Sequence, residues 1–158
     1  LSPLGFALQK LVTALAVALV PVVLVLAIAA ATGAEAPLGN WLLCGLIGWL
    51  GASLFALYGL LLALLIRSDA SIGIASGGIV ILAFLGNVFM PLDGWLLTLA
   101  RFTPMFGVVN AAERPITEGW ISGGVNIPAW QAWANMGAWF LVLAVACTLV
   151  MRRTGRRE

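Results

Sequence analysis

The chain has 158 residues, of which 63% are hydrophobic and only 9% are charged, and its formal net charge is +2. Soluble domains carry about 25% charged residues, so this composition excludes an ordinary soluble protein. Histidine is absent, which excludes His-based metal sites and His general-base catalysis within the chain.

Four apolar runs without a formal charge follow one another along the chain, at residues 11–32, 41–66, 71–91 and 133–151. At 1.5 Å per residue, a run of 22 residues spans about 33 Å, against a hydrocarbon core of about 30 Å. The sequence therefore predicts an all-α fold, a polytopic membrane helical bundle forming one transmembrane domain over residues 1–158. Pro21 is expected to kink the first span.

The basic residues predict the orientation of these spans, because cytoplasmic connections carry the excess of Lys and Arg. With the C-terminus in the cytoplasm, the basic residues divide into a cytoplasmic group of six and an outer pair, Arg101 and Arg114. We therefore expect both ends of the chain to be cytoplasmic. The cytoplasmic group is Lys10, Arg67, Arg152, Arg153, Arg156 and Arg157.

Small residues recur at helical spacing in two of the spans. The third span opens with Gly73 and Gly77, and such stripes allow helices to approach closely. The second span carries the stripe Cys44, Gly48, Ala52 and Ala56. Each stripe predicts a face on which helices pack, either inside one subunit or between subunits.

The connection between the last two spans is too apolar for a solvated loop and too interrupted for a span. It predicts one short helix over residues 94–102 and a second that starts at Pro104 and ends near Arg114 and Pro115. Residues 92–114 are then either a re-entrant helical hairpin, with Pro104 near its tip, or an amphipathic loop on the outer surface. Glu113 and Arg114 are candidate functional charges or ordinary interfacial ones, and Trp95 suits an interface belt.

Residues 86–116, GNVFMPLDGWLLTLARFTPMFGVVNAAERPI, resemble the signature of ABC-2 type transporter permeases, closest to the bacterial drug and daunorubicin exporters. The N-terminal segment SPLGFALQKLVTAL resembles the cytoplasmic stretch before that family's third span. Two positions depart from the family, which often has Pro where Gly94 stands and Pro-Leu-Thr-Tyr where residues 104–107 read PMFG. The resemblance covers the C-terminal four of six spans. Its matches in the two segments are Gly86, Pro91, Trp95, Leu96, Pro104 and Arg114, then Ser2, Pro3, Leu4 and Lys10.

The resemblance implies a permease subunit in a bacterial cytoplasmic (inner) membrane, which exports a hydrophobic or amphipathic substrate and pairs with a second permease copy or a homologous permease. No G-x-x-x-x-G-K-[ST] loop is present, so ATP and Mg²⁺ are expected on a separate ATP-binding subunit. We expect no catalytic site, metal or cofactor in this chain, and no nucleic-acid partner. Ser2, Pro3, Leu4 and Gly5 are the candidate contacts with the ATPase. Asn87, Met90, Pro91 and Asn110 are candidates for the pathway or hairpin, and Asn87, Met90 and Asn110 are equally candidates for buried packing groups.

Three alternatives come from other classes of membrane protein. A stand-alone small multidrug transporter needs an embedded carboxylate, and none of the four apolar runs contains one. A membrane hydrolase needs a nucleophile with a base, and the serines of the spans have no such partner. An assembly or sensing subunit stays open. Because the chain begins at Leu1 and has no signal peptide, we also expect it to be part of a longer protein whose N-terminal part precedes it.

Overall fold

The fold is all-α, as predicted, and is known from a computed structural model that describes residues 3–33, 35–66, 70–121 and 123–154. Two very short strands form an antiparallel pair in which Trp120 lies opposite Asn126. The elements are α1 (Pro3–Ala31), α2 (Leu38–Leu65), α3 (Ala70–Leu85), α4 (Gly94–Ala100), α5 (Pro104–Thr117), β1 (Trp120–Ile121), β2 (Val125–Asn126) and α6 (Ala129–Thr154).

Three of these helices have the length and composition to cross a membrane. The apolar part of α1, Leu8–Ala31, has a mean hydropathy of 3.0, and α2 and the first 25 residues of α6 reach 2.0 and 1.9. Little of their surface is buried inside the protein, as expected for helices whose outer faces meet lipid instead of water. The predicted membrane-type helical bundle therefore rests on α1, α2 and α6.

The third predicted span is shorter than the sequence suggested. Helix α3 ends at Leu85 instead of continuing to residue 91, and its 16 residues rise about 24 Å. The cause is local: Gly86 follows, and Asn87 adopts a left-handed backbone with φ 63° that ends the helical path. The side-chain oxygen of Asn87 then accepts a hydrogen bond from the amide of Leu92, which stabilises the loop after α3.

The first helix begins before the apolar run of the first predicted span. Residues Pro3 to Gln9 form the first turns of α1 itself. Pro3 stands at the first helical position, where its fixed φ and missing amide hydrogen are tolerated. Of the candidate ATPase contacts, Pro3, Leu4 and Gly5 thus belong to this turn, and Ser2 lies outside the described residues.

The three long helices do not all run in the same direction. Trp49 of α2 donates its indole N–H to the carbonyl of Leu15 of α1 at 2.7 Å, which joins these two antiparallel helices. Helices α2 and α6 run parallel, because Leu57 and Cys147 lie at matching heights and the thiol of Cys147 is 3.4 Å from the carbonyl of Leu57. The larger core cluster fills this space between α2 and α6 and also includes Val108 of α5.

The two ends of the bundle differ in composition. One end, here the tryptophan end, holds the first turns of α2 and α6, the strands, and Trp41, Trp120 and Trp130. The opposite end, here the arginine end, carries Arg152 and Arg153 in the last turn of α6. This segregation matches aromatic residues at one membrane interface and basic residues at the other.

Candidate functional site

The α4–α5 hairpin is built by the residues of its turn. Helix α4 ends at Ala100, and Thr103 then caps α5 by accepting a hydrogen bond from the amide of Phe106 at 3.4 Å. Pro104 occupies the first turn of α5, where a proline is favoured. The sequence predicted two helices meeting at Pro104, and the structure has them, although α5 continues past Pro115 to Thr117.

Glycines of α2 let α5 approach it closely. A methyl group placed on Gly51 would stand 2.5 Å from Cγ1 of Val108, and one on Gly48 would stand 3.9 Å from Cβ of Ala112. The order of these contacts shows that α5 runs antiparallel to α2. Close approach of this kind favours helix association where no hydrophobic effect operates between the helices.

Two other helices close around the same hairpin. On α6, Asn135 lies directly against Gly107, and at the end of α3, Gly86 lies against Met105. Helix α5 therefore packs between α2, α3 and α6, and its buried face contains Phe106 with an exposed fraction of 1%. A segment packed on three sides by helices is not a solvated loop.

Three side-chain donors hold the backbone of the hairpin. Asn135 Nδ2 donates to the carbonyl of Arg101 at 2.6 Å, and Trp139 Nε1 donates to the carbonyl of Phe102 at 2.7 Å. At the other end of α5, Asn40 Nδ2 donates to the carbonyl of Pro115 at 2.7 Å. Carbonyls at helix ends have no intrahelical donor, and leaving them unpaired away from water is costly, so these contacts meet a specific need.

The contacts at Gly51 and Trp139 also show how far the hairpin lies from the tryptophan end, measured along α2 and α6. Gly51 lies about 20 Å along α2 from Leu38, and Trp139 lies about 15 Å along α6 from Ala129. The turn at Phe102 therefore lies below the tryptophan end of the bundle, against the first half of α6. From this turn, α5 runs back toward the tryptophan end, where Asn40 bonds the carbonyl of Pro115.

Four of the residues predicted for the pathway or hairpin lie before or at the start of α4. Asn87 ends α3, and its side chain is used to bond Leu92, which is a structural role. The side chains of Met90, Pro91 and Trp95 are exposed on the isolated chain, with Trp95 reaching 77%. These three residues do not line an internal cavity in the described structure.

The four remaining candidates lie together on α5. Pro104 is buried at its start, and Asn110 is buried with Nδ2 donating 2.9 Å to the carbonyl of Phe106. Arg114 donates from Nη1 to the carbonyl of Ile127 at 2.7 Å, which ties α5 to the segment before α6. Glu113 reaches the surface, yet its enclosure by apolar neighbours raises the pKa of its carboxyl above the ordinary value.

The predicted small-residue stripes are used in part. Gly48 packs on α5 as the stripe in α2 suggested, and Gly51, three residues further along α2, packs there as well. On α3, Gly73 and Gly77 face open space within the described residues, whereas Gly78 lies against Tyr58.

An apolar cavity of about 290 Å³ opens between α1 and α2 beside the proline of α1. Its wall on α2 includes Cys44. The cavity lies on the opposite side of α2 from the core between α2 and α6. It is lined by Pro21, Val22, Val25, Leu26, Trp41, Cys44, Gly45 and Gly48.

Three residues that position the hairpin were not predicted from the sequence. Asn40, Asn135 and Trp139 look like ordinary residues of apolar helices, and only their hydrogen-bond partners show that they hold the hairpin. One signal was available, because Asn135 is the only amide side chain between Gln131 and the C-terminus and lies in a span. Among the residues that the structure describes, no group of three His, Cys, Asp or Glu side chains is placed to hold a metal ion.

Comparison of the chain with protein-family models, with curated proteins and with solved structures finds no match. The resemblance to ABC-2 permeases therefore rests on the motifs of residues 2–15 and 86–116 alone. A functional conclusion has to be built on the geometry of the hairpin.

Proposed function

We propose that this chain is the transmembrane permease subunit of an ATP-driven exporter, and that its α4–α5 hairpin is a re-entrant element that closes the pathway at the outer face. In this arrangement the tryptophan end faces outward and the arginine end faces the cytoplasm, in agreement with the distribution of Lys and Arg. ATP would be hydrolysed by a separate subunit docked at the arginine end. The exported substrate is hydrophobic or amphipathic.

The observation that carries this proposal is the depth of the α4–α5 turn between the long helices. A non-helical turn at membrane depth is tolerated only where protein covers it or where it lines a cavity. Here Asn135 and Trp139 satisfy the two carbonyls of the turn. A simple interfacial loop would need neither contact, because water would satisfy both carbonyls.

The same geometry offers a route for coupling. Helices α2 and α6 contact the hairpin in their first halves and run in parallel to the arginine end. A movement imposed on their cytoplasmic ends would therefore reach Gly51 and Asn135, where the hairpin is held. Rigid helices with discrete packing arrangements transmit such movements, because packed interfaces do not deform continuously.

Purification and reconstitution test the proposal. The tagged protein, expressed in its native host, should co-purify with an ATP-binding subunit, and proteoliposomes containing both should move an amphipathic dye only when ATP is added. The matched control is a variant of the ATP-binding subunit that binds ATP without hydrolysing it, and this variant should abolish movement of the dye. Dye movement that needs no ATPase subunit would contradict the proposal.

Glu113 favours one alternative, a stand-alone transporter driven by protons. Such a transporter requires a carboxyl group that binds and releases protons in an apolar setting. Glu113 is the candidate for that group, because partial burial raises the pKa of its carboxyl. The same proteoliposomes separate the two candidates. A proton gradient without ATP would drive export by the alternative and would not drive export by an ATP-dependent permease.

A further inference from the structure

We propose that the groove between α1 and α2 binds an alkylammonium amphiphile, with its chain between the two helices and its ammonium group beside Glu35. The inference rests on the proposed function only for calling this molecule a substrate. It narrows the substrate class from any hydrophobic or amphipathic compound to an amphipathic cation, and it assigns that compound a site within one chain.

Two cavities between these helices share walls and form one groove. The cavity of about 290 Å³ beside Pro21 has a neighbour of about 210 Å³ toward the tryptophan end, and Leu26 and Trp41 line both cavities. Together the two volumes fall within the range of about 300–1,000 Å³ that small-molecule sites occupy. The second cavity is lined by Leu26, Ala30, Ala36, Leu38, Trp41 and Leu42.

The walls of the groove suit an aliphatic chain. The side chains that line it are apolar, apart from the thiol of Cys44 and the indole N–H of Trp41. From Leu38 to Gly48 the wall on α2 extends about 15 Å, which is about half of a hydrocarbon core of about 30 Å. The groove therefore matches the depth of one leaflet, and a chain bound in it lies alongside the lipid chains of that leaflet.

Contacts between α1 and α2 hold the groove in shape. At its lower end, Trp49 follows Gly48 and donates its indole N–H to the carbonyl of Leu15 at 2.7 Å. On the wall itself, a methyl group placed on Gly45 would stand 2.8 Å from Cδ1 of Leu26, so the helices approach closely there. The groove is thus a feature of a packed helix pair and not a gap between separated helices.

The charge at the tryptophan end of the groove selects the head group. Glu35 is exposed and directly precedes Ala36, which lines the second cavity. It is the only charged residue between Lys10 and Arg67, and among the described residues its carboxylate has no hydrogen bond or ion pair. An anionic head group would meet a like charge there, whereas an ammonium group stays protonated at neutral pH and pairs with the carboxylate.

Photo-cross-linking in phosphatidylcholine nanodiscs tests the site, with a dodecylamine that carries a diazirine near the end of its chain as the probe. Cross-links mapped by mass spectrometry should fall on residues 21–26 and 41–48. Dodecylamine should compete for these cross-links at about one fifth of the mole fraction that dodecanol, the matched neutral alcohol, requires, in keeping with an ion pair at an exposed site. Dodecyl sulfate should compete less well than dodecanol.

Two sets of variants test the chain and the head group separately. Val25→Trp fills the groove and should abolish the competed cross-links, whereas Val23→Trp, at an exposed position of the same helix outside the groove, should keep them. Glu35→Gln should reduce competition by dodecylamine to the level of dodecanol, and Glu35→Asp should keep it above that level. Glu118→Gln, at another exposed acid of the tryptophan end, is the control and should behave like the wild type.

Equal competition by dodecylamine and dodecanol on the wild type would overturn the proposal, and so would competed cross-links that persist in Val25→Trp. These measurements need no ATPase, so their failure leaves the proposed export function standing. In proteoliposomes with the ATP-binding subunit, Val25→Trp should abolish ATP-driven movement of an alkylammonium dye, and Val23→Trp should not. Movement at the wild-type rate by a Val25→Trp protein that no longer binds the probe would overturn the assignment of the groove to the substrate.

Discussion

The side-chain amide of Asn135 donates a 2.6 Å hydrogen bond to the carbonyl oxygen of Arg101, 34 residues earlier in the chain. This bond joins the turn of the α4–α5 hairpin to the first half of α6. Trp139, one helical turn further along α6, donates to the next carbonyl, that of Phe102. Two neighbouring carbonyls with no helical donor are thus satisfied by two side chains of one helix face.

We expect Trp139→Phe to destabilise the hairpin, because it keeps an aromatic ring but leaves the carbonyl of Phe102 unpaired. Removing one partner of such a bond costs about 1–3 kcal/mol. Thermal unfolding in detergent should show a lower midpoint, together with faster deuterium exchange over residues 98–109. Trp130→Phe is the control, since Trp130 is 72% exposed, and should leave both quantities unchanged.

Two glycines of α2 allow a matched test of helix packing. Gly51→Ala places a methyl group against the β-branched side chain of Val108, and overpacking of this kind costs about 1–3 kcal/mol. Gly59→Ala meets no atom within 4 Å and should be neutral or slightly stabilising, because alanine favours the helix. An equal effect of the two substitutions on the unfolding midpoint would show that α5 does not pack on Gly51.

Glu113 predicts a pH dependence with a definite sign. Because its folded-state pKa is raised above the ordinary 4.5, ionisation opposes folding. The protein should therefore be most stable below pH 4.5, lose stability as the pH rises through the raised pKa, and then level off. Glu113→Gln should remove this decline. The variant should match the wild type in acid and exceed it at neutral pH, as measured by unfolding midpoints across the pH range. A wild type whose stability rises over the same interval would contradict the assignment.

The orientation is tested by cysteine labelling in intact cells, in a background where Cys44→Ala and Cys147→Ser remove the native thiols. A cysteine at Glu35, in the loop between α1 and α2, should react with a membrane-impermeant maleimide. A cysteine at Arg153 should react only after the cells are opened. Labelling of the second site from outside would invert the proposed arrangement.

The sequence predicted the features that depend on composition and on local chemistry. Charge-free runs identified three long helices, and Pro104 marked the meeting point of α4 and α5, because both signals act over a few neighbouring residues. The helix ends differ from the ends of the apolar runs for the opposite reason, since α1 begins before residue 11 and α3 ends before residue 91. Apolar composition does not show where a helix stops, and the left-handed turn at Asn87 depends on a bond to Leu92 that a hydropathy pattern does not contain.

The site itself was harder to predict than the helices. The sequence left Asn110 as either a pathway contact or a buried packing group, and in α5 its buried side chain bonds the carbonyl of Phe106 in its own helix. Asn40, Asn135 and Trp139 position the hairpin, and each has its partner at least 34 residues away. Contacts across such separations depend on how the helices are placed in space, which the periodicity of one helix does not specify.

The central claim, that the hairpin enters the membrane, is tested most directly by the depth of its turn. A nitroxide attached to a cysteine at Phe102, in the same cysteine-free background, is compared in nanodiscs with one at Glu35 by collision with oxygen and with a water-soluble nickel complex. Trp139 lies about 13 Å along α6 from Trp130, so we expect the Phe102 label to lie about 10–15 Å below the head groups. That label should then collide with oxygen and be shielded from nickel, unlike the label at Glu35. Equal nickel accessibility at the two positions would place the turn at the surface and contradict a re-entrant hairpin.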